Sequence, residues 1–409
     1  MSLVYNTIPH DQLSLVDLKY DFLAYIENTI SKVAIHKKFT PEALSFLKEI
    51  LNQLLSFNLA FKTEAGLSHS FFSCINIKDS SKFKLPLTFL SDYPSYGSYN
   101  KLTAFLNLQF EFDAMTGNWN CVELTKATRN DQTDSKETSG DIQERGLYIR
   151  DLGYITTTYL LAVGRKNAYY LNRLPKIGVY QLVDQMYKPI DWNVLDKKIK
   201  QARLPYYEME AYLGKEERIK TRMIISPVPK NVTEERIRKA KQGGKRTNGY
   251  QISKEYKVKA QYNIFITNVP QDILSEDDII KTYKLRWQIE LIFKTWKSNL
   301  QIHKVKAVRT IRMECQLIAK LIWILLNTRL HQLAQFILWE KLPGKGCSQL
   351  KFFKLATKFS KSLLQSIVRL KLFQSWFNNT IIPILPDLII EKRLTKDTHC
   401  LILNSLLMI

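Results

Sequence analysis

The sequence predicts an α/β protein in which a strand-rich core is interrupted by a second β-rich stretch and flanked by helical regions. Three observations predict this. Strand-like runs with alternating or continuous apolar residues crowd between residues 73 and 174 and return after residue 262. A different set of short strand-like runs, accompanied by a basic and glycine-rich segment, fills residues 175–261. Apolar residues at helical spacing dominate both ends of the chain, and 409 residues suffice for more than one domain.

In chain order, residues 1–72 are helical: Leu13 to Ala34 has helix-like spacing. Thr40-Pro41 then supplies an N-cap and first-turn proline before Leu44, Phe46, Leu47, Ile50, Leu51 and Leu54. Residues 73–174 open with Cys74-Ile-Asn-Ile-Lys-Asp79-Ser-Ser, a short strand ending on an acid followed by hydroxyl residues. Phe105 to Asp113 alternates, Thr116-Gly117-Asn118 turns, and Trp119 to Leu124 returns as a hairpin. Gly146 to Asp151 is an apolar strand running into an acid, broken by Gly153, and Asn167 to Arg173 is a further strand. Within residues 175–261 the strand-like runs are Gly178–Val183, Glu208–Leu213 and Arg222–Ser226, and Glu235 to Gly249 is a basic run whose Gly243-Gly244 lets it bend. Residues 262–330 resume with Ile264 to Asn268 and lead into a helix, and residues 331–409 are helical again, with Ile322 to Phe336 and Leu350 to Phe377 as its candidate helices.

A formal charge of +22 and a pI near 9.6 imply a polyanionic partner, and nucleic acid suits this better than a membrane surface. No membrane partner is expected: the best apolar run, Leu317 to Leu326, is too short for a span and is interrupted by Lys320. Met1 to Ser14 does not read as a signal peptide, so a cytoplasmic protein is expected. Cys74, Cys121, Cys315, Cys347 and Cys400 form no Cys-x-x-Cys pair and read as reduced packing residues. His10, His36, His69, His303, His331 and His399 form no pair at metal-ligand spacing.

The most informative stretch is Tyr283-Lys-Leu-Arg286-Trp-Gln-Ile-Glu290-Leu-Ile-Phe-Lys-Thr-Trp-Lys297. As one helix turning roughly 100° per residue, it places Tyr283, Arg286, Glu290 and Lys297 within an arc of about 60°. Leu285, Trp287, Ile289, Leu291, Ile292, Phe293 and Trp296 spread apolar side chains almost all the way round, so burial is expected. A buried helix carrying one carboxylate among cations implies a metal ion or a phosphate on that face.

The spacing Tyr-x2-Arg-x3-Glu-x6-Lys resembles the signature of bacterial insertion-sequence transposases, the DDE enzymes with an RNase H-like catalytic core. Two upstream blocks extend the resemblance. Asp79-Ser-Ser is similar to the family's Asp-Ser-Thr or Asp-Gly-Thr block, with Ser81 departing from the usual Thr. Asp151-Leu-Gly-Tyr is similar to its second block, and residues 175–261 resemble its β-rich insertion. The resemblance spans roughly residues 70 to 330 and implies an RNase H-like mixed-sheet core. It implies that Asp79, Asp151 and Glu290 are catalytic acids holding two Mg²⁺ ions, with Mn²⁺ able to substitute. Such ions neutralise the attacking and leaving oxygens of an in-line phosphodiester displacement. Tyr283, Arg286 and Lys297 are then DNA-binding, holding the phosphate beside the scissile bond. The implied partners are double-stranded DNA, both the terminal inverted repeats and the target, and a second copy pairing two ends. Residues 1–72 would help recognise the end, 331–409 would support dimerisation, and the bound protein would lie on the bacterial nucleoid.

Several alternatives stay open. Asp131, in Arg129-Asn-Asp-Gln132, rivals Asp151 for the second acid. Arg286 and Glu290, four residues apart, would on an ordinary helix be a surface ion pair. Arg236, Arg238, Lys239, Lys241, Lys245 and Arg246 could track a DNA backbone or form a solvated loop, and Lys304, Lys306, Arg309 and Arg312 pose the same choice. Trp192 could stack a displaced base or pack a small core. A decayed DNA-binding relic, or a stand-alone RNase H-like nuclease, would share parts of the pattern.

Overall fold

A computed structural model describes residues 14–26, 30–56, 71–95, 102–246, 252–342, 345–368 and 372–390. In chain order, helices α1 (Leu15–Ile26), α2 (Lys32–Lys37) and α3 (Pro41–Ser56) precede strands β1 (Ile75–Leu85), β2 (Ala104–Asp113) and β3 (Trp119–Lys126). Helix α4 (Asp131–Glu137), strand β4 (Leu147–Arg150), helix α5 (Thr157–Arg165) and strand β5 (Tyr169–Arg173) follow. Next come β6 (Val179–Val183), β7 (Met186–Pro189), α6 (Trp192–Ala202), β8 (Tyr207–Leu213), β9 (Ile219–Pro227), α7 (Lys230–Arg246) and α8 (Lys254–Lys259). Then follow β10 (Tyr262–Thr267), α9 (Glu276–Tyr283), α10 (Trp287–Ser298), α11 (Thr310–Lys341), α12 (Gln349–Val368) and α13 (Phe373–Thr380).

Two compact units draw on separated stretches of this order. The first comprises Met1–Ala65, Ser80–Arg129 and Trp287–Asn404; the second comprises Gly66–Asp79, Asn130–Arg286 and Ser405–Ile409. In the second unit, the leading half of β1 pairs in parallel with β4, and β4 in parallel with β5. Strand β10 then joins β5 antiparallel, and β9, β8, β6 and β7 follow in that order, all antiparallel. The strands of residues 175–261 therefore extend the sheet of their own unit through the β9–β10 pairing. One core serves both parts: Tyr148, Tyr159, Leu160 and Ile266 pack in the same cluster as Trp192, Leu195, Ile199 and Met223. Local signals set the element ends. Asn130, Thr156, Asp191, Ser253 and Ser275 cap helices with their side chains. Asp184 and Gln185, with φ of 49° and 63°, make the two-residue turn between β6 and β7.

In the first unit the strand order is β3-β2-β1, with β2 antiparallel to β3. The alternation predicted for β2 is present, yet both of its faces are buried, the polar one carrying Asn107, Gln109, Glu111 and Asp113. Helix α11 is buried nearly all round its middle, with Trp323, Ile324 and Leu325 fully enclosed, and packs against α3 and α12. Such all-round burial suits a helix at the centre of a bundle.

The mixed α/β architecture agrees with the RNase H-like expectation, while several elements differ in detail. Strand β1 does not end on Asp79 but continues through Ser80 and Ser81 to Leu85. The Leu13-to-Ala34 run forms two helices, α1 and α2; Leu13 and residues 27–29 lie outside the described residues. The basic run is helical rather than a loop, up to Arg246 in α7, and residues 247–251 lie outside the described residues. Leu350 to Phe377 is two helices, α12 and α13, and α11 runs uninterrupted through residue 330.

Candidate active site

The signature segment is not one continuous helix. Helix α9 ends at Tyr283, a 3-10 turn covers Lys284–Arg286, and α10 starts at Trp287. A 3-10 turn advances about 120° per residue, so the arc drawn for a uniform α-helix does not carry across it. Nor is the segment buried all round. Trp287 and Leu291 are 58 % and 43 % exposed, whereas Leu285, Ile289 and Trp296 are enclosed.

The turn places Arg286 in the second unit, together with Asp79. The chain is buried from Cys74 through Lys78 of β1 and surfaces at Asp79, which is 19 % exposed on its side chain. The Arg286 Nη1 atom lies 3.8 Å from the Asp79 Oδ2 atom, and the Arg286 guanidinium lies over the Tyr283 ring at 5.9 Å from its centroid. Tyr283 also packs on Phe265 of β10, with ring centroids 5.1 Å apart. Burial pushes the Tyr283 phenol above its ordinary range; Arg286 and Arg173 pull it down, and the Asp151 carboxylate adds to the rise.

Asp151 follows β4 and is the N-cap residue of a 3-10 turn over Leu152–Tyr154, where the Tyr154 amide donates to the Asp151 carbonyl at 3.0 Å. Its registered neighbours indicate its place: Lys78 of β1 is the partner of Arg150 of β4, and Asp79 and Asp151 are the next residues of those two segments. Strands paired in this way lie about 4.8 Å apart. Asp131 is close by as well. At Gly153 a Cβ atom would meet the Asp131 Oδ2 atom at 2.7 Å, so the absence of a side chain there is what admits Asp131. The second unit thus brings Asp79, Asp151, Arg286 and Tyr283 together, with Asp131 beside the Leu152–Tyr154 turn.

Glu290 and Lys297 belong to the first unit, in the first and last turns of α10. Helix α10 is anchored by Phe293 and Trp296, which pack with Phe110 and Trp119 at centroid distances of 4.8 to 6.0 Å. Lys297 belongs to a group of cations: burial lowers the affinity of His303 for a proton, and Lys297, Lys304 and Lys320 lower it further. Among the described residues, no three or more His, Cys, Asp or Glu side chains are gathered as a set able to hold a metal ion.

Several other candidates have partners within their own unit. Trp192 is 6 % exposed at the start of α6, within the core of its unit, and Lys259 rests over its ring at 4.3 Å. Arg236 donates to the carbonyls of Ala260 and Tyr262 and to the Asn263 side chain, while Arg238 and Lys239 pair with Glu235. Asp113 accepts from the Thr116 hydroxyl and the Met115 amide, as a turn former does. Among the described residues, no helix is long and apolar enough to cross a membrane. Sequence reasoning passed over Lys78, Asp134, Arg150 and Arg173. The signal for two of them was there: a cation immediately precedes each of Asp79 and Asp151 at the end of an apolar run.

Comparison with known proteins bears on this arrangement. Residues 70–326 match the family model described as "Transposase DDE domain". The chain is 32 % identical over 330 residues to a transposase for insertion sequence element IS231B of Bacillus thuringiensis subsp. berliner, covering 76 % of this chain and 68 % of that one. It is 30 % identical over 348 residues to the transposase for IS231E of B. thuringiensis subsp. finitimus, covering 80 % and 71 %. The transposase for IS1151 of Clostridium perfringens is similar at 24 % identity over 355 residues, covering 83 % and 74 %.

Proposed function

Because this chain belongs to the DDE transposases of bacterial insertion sequences and is thus an enzyme acting on DNA, we propose that it cleaves the ends of its own element and joins them to target DNA, with Asp79, Asp151 and Glu290 as its catalytic acids. The observation that supports this reading is the registered pair Lys78–Arg150, since Asp79 and Asp151 are the next residues along those two neighbouring parallel segments. Glu290 joins them on the strength of its place in the signature. DDE transposases are in general dependent on divalent metal. The chemistry of the two aspartates suits a hard cation, since partly exposed carboxylates offer the oxygens that Mg²⁺ or Mn²⁺ takes. When bound, two such ions would supply charge neutralisation at the oxygens of the phosphodiester.

The chain's own groups do the rest. Arg286, now 3.8 Å from Asp79, turns its fork to the phosphate beside the scissile bond, and the adjacent Tyr283 ring fixes the guanidinium plane. Lys297, at the end of α10, adds a point charge for the same strand. The terminal inverted repeats are the DNA bound, two copies pair two ends, and the DNA substrate places the protein on the nucleoid in the cytoplasm. Residues 1–72 and 331–409 take the flanking roles of end recognition and dimer contact, and 175–261 is the insertion between 73–174 and 262–330.

The test is strand cleavage by Asp79→Asn, Asp151→Asn and Glu290→Gln on DNA carrying the element's ends. Each should lose cleavage by at least about a thousandfold while end binding stays within a few fold, because phosphate contacts supply most of the affinity. Normal nicking by Glu290→Gln in Mg²⁺ would refute the assignment. Nicking by Asp151→Asn with loss in Asp131→Asn would transfer the second place to Asp131.

A further inference from the structure

Asp79 and Asp151 are each preceded by a buried cation. Lys78 is 1 % exposed and Arg150 is 2 % exposed, and the two are direct register partners on β1 and β4. Like charges on directly neighbouring strands repel, and burial strengthens the repulsion. Helix α4 answers both. The Asp134 Oδ2 atom lies 2.5 Å from the Lys78 Nζ atom, with both side chains enclosed, and Lys78 also donates to the Thr138 hydroxyl at 3.2 Å. The next residue on α4, Ser135, accepts from the Arg150 Nη1 atom at 2.9 Å. Arg150 is held further by the Tyr159 ring, 4.3 Å below its guanidinium, and by its own amide, which donates to the Asn172 side chain at 2.8 Å.

Apolar side chains of similar volume would fill this space at lower desolvation cost, so stability alone does not account for a buried ion pair. A strand reverses its side chains at every residue, so a slip of β1 by one position would turn Asp79 to the opposite face and carry Lys78 away from Asp134, while Asp151 stayed in place. We propose that Asp134 is a positioning residue: through Lys78 and its neighbour Ser135 it locks the β1–β4 register, and thereby the spacing of the Asp79 and Asp151 carboxylates. The proposal rests on reading those two aspartates as metal-binding acids. Groups that orient metal ligands without touching the ion typically change metal affinity by about 10- to 100-fold when removed.

The experiment uses the full chain without DNA and follows Mn²⁺ binding by electron paramagnetic resonance titration, together with thermal melting. The double variant Lys78→Met/Asp134→Leu replaces the ion pair with apolar groups. It should melt within a few degrees of the wild type, since such replacements are often neutral. It should nevertheless bind Mn²⁺ about tenfold more weakly. Wild-type affinity in the folded double variant overturns the proposal. If that variant does not fold, Ser135→Ala, which removes one neutral hydrogen bond to Arg150, should weaken Mn²⁺ binding about threefold, and an unchanged affinity overturns the proposal equally. Asp79→Asn separates the two layers of the argument. Should it bind Mn²⁺ as the wild type does, the metal reading fails and the proposal with it. Should it lose Mn²⁺ while the double variant keeps it, the positioning role alone is refuted.

Discussion

Replacing Arg286 with alanine removes a guanidinium that lies 3.8 Å from Asp79, in a pair whose side chains are 14 % and 19 % exposed. At that separation the bare Coulomb attraction in a surface-like dielectric is about 4 kcal/mol, while measured exposed pairs return at most about 1 kcal/mol after desolvation and side-chain ordering. The partly buried position favours the upper end of the measured range, so the coupling between Arg286 and Asp79 is about 1 kcal/mol, or roughly fivefold in an equilibrium. If Arg286 exchanges Asp79 for a DNA phosphate, Arg286→Ala should flatten the dependence of log affinity on log salt by about 0.9. Between 50 and 200 mM salt, that slope predicts an advantage of wild type over variant that shrinks about 3.5-fold. Asp79→Asn should act the other way, removing the Asp79 charge that competes for Arg286 and tightening end binding by up to about fivefold. Fluorescence anisotropy on end-containing DNA at four salt concentrations reads both effects. An Arg286→Ala protein whose salt slope equals the wild-type slope, and whose only change is a lower melting temperature, would show that Arg286 is a structural partner of Asp79.

Two further predictions concern stability. Arg222 chelates Glu208 through Nε and Nη2 at 2.7 and 2.8 Å and donates from Nη1 to the carbonyls of Val269 and Leu274 at 2.7 and 3.1 Å, tying β8 and β9 to the segment that leads into α9. Arg222→Ala leaves a carboxylate and two carbonyls short of a donor, at a cost of about 3 kcal/mol, and should lower the melting temperature by roughly 6–12 °C; a shift below about 2 °C would contradict this. His331 hydrogen bonds to the Cys347 carbonyl, and burial pushes its proton affinity down to a pKa of about 4 despite that carbonyl. Because the folded value is depressed below the unfolded 6.5, the stabilisation is complete above pH 6.5 and declines as pH falls from there toward 4, by about 2–3 kcal/mol in all. Melting profiles of wild type and His331→Gln should converge across that window, and parallel profiles would contradict the assignment.

Much of the fold was legible because the relevant signals are local. The β2–β3 hairpin follows from alternation on either side of Thr116-Gly117-Asn118, and the Thr40-Pro41 start of α3 follows from capping chemistry. The break at Lys284–Arg286 was not legible, since neither proline nor glycine marks it and the apolar spacing continues through it. The basic run misled for the opposite reason. Gly243-Gly244 suggested a bend, yet α7 runs as helix through both to Arg246, and its earlier residue Arg236 is hydrogen-bonded to Ala260, Tyr262 and Asn263.

By itself, the sequence determined the family, the order of the acidic blocks and the polyanionic partner, because these depend on residue identity, spacing and net charge. Only the tertiary structure decided that Lys78 and Arg150 are register partners, that Asp134 pairs with Lys78 while Ser135 meets Arg150, and that Arg286 faces Asp79 rather than continuing a helix. The reason is physical. Register and ion pairing link residues that lie far apart along the chain, and no periodicity within either segment encodes which residue of the other stands opposite.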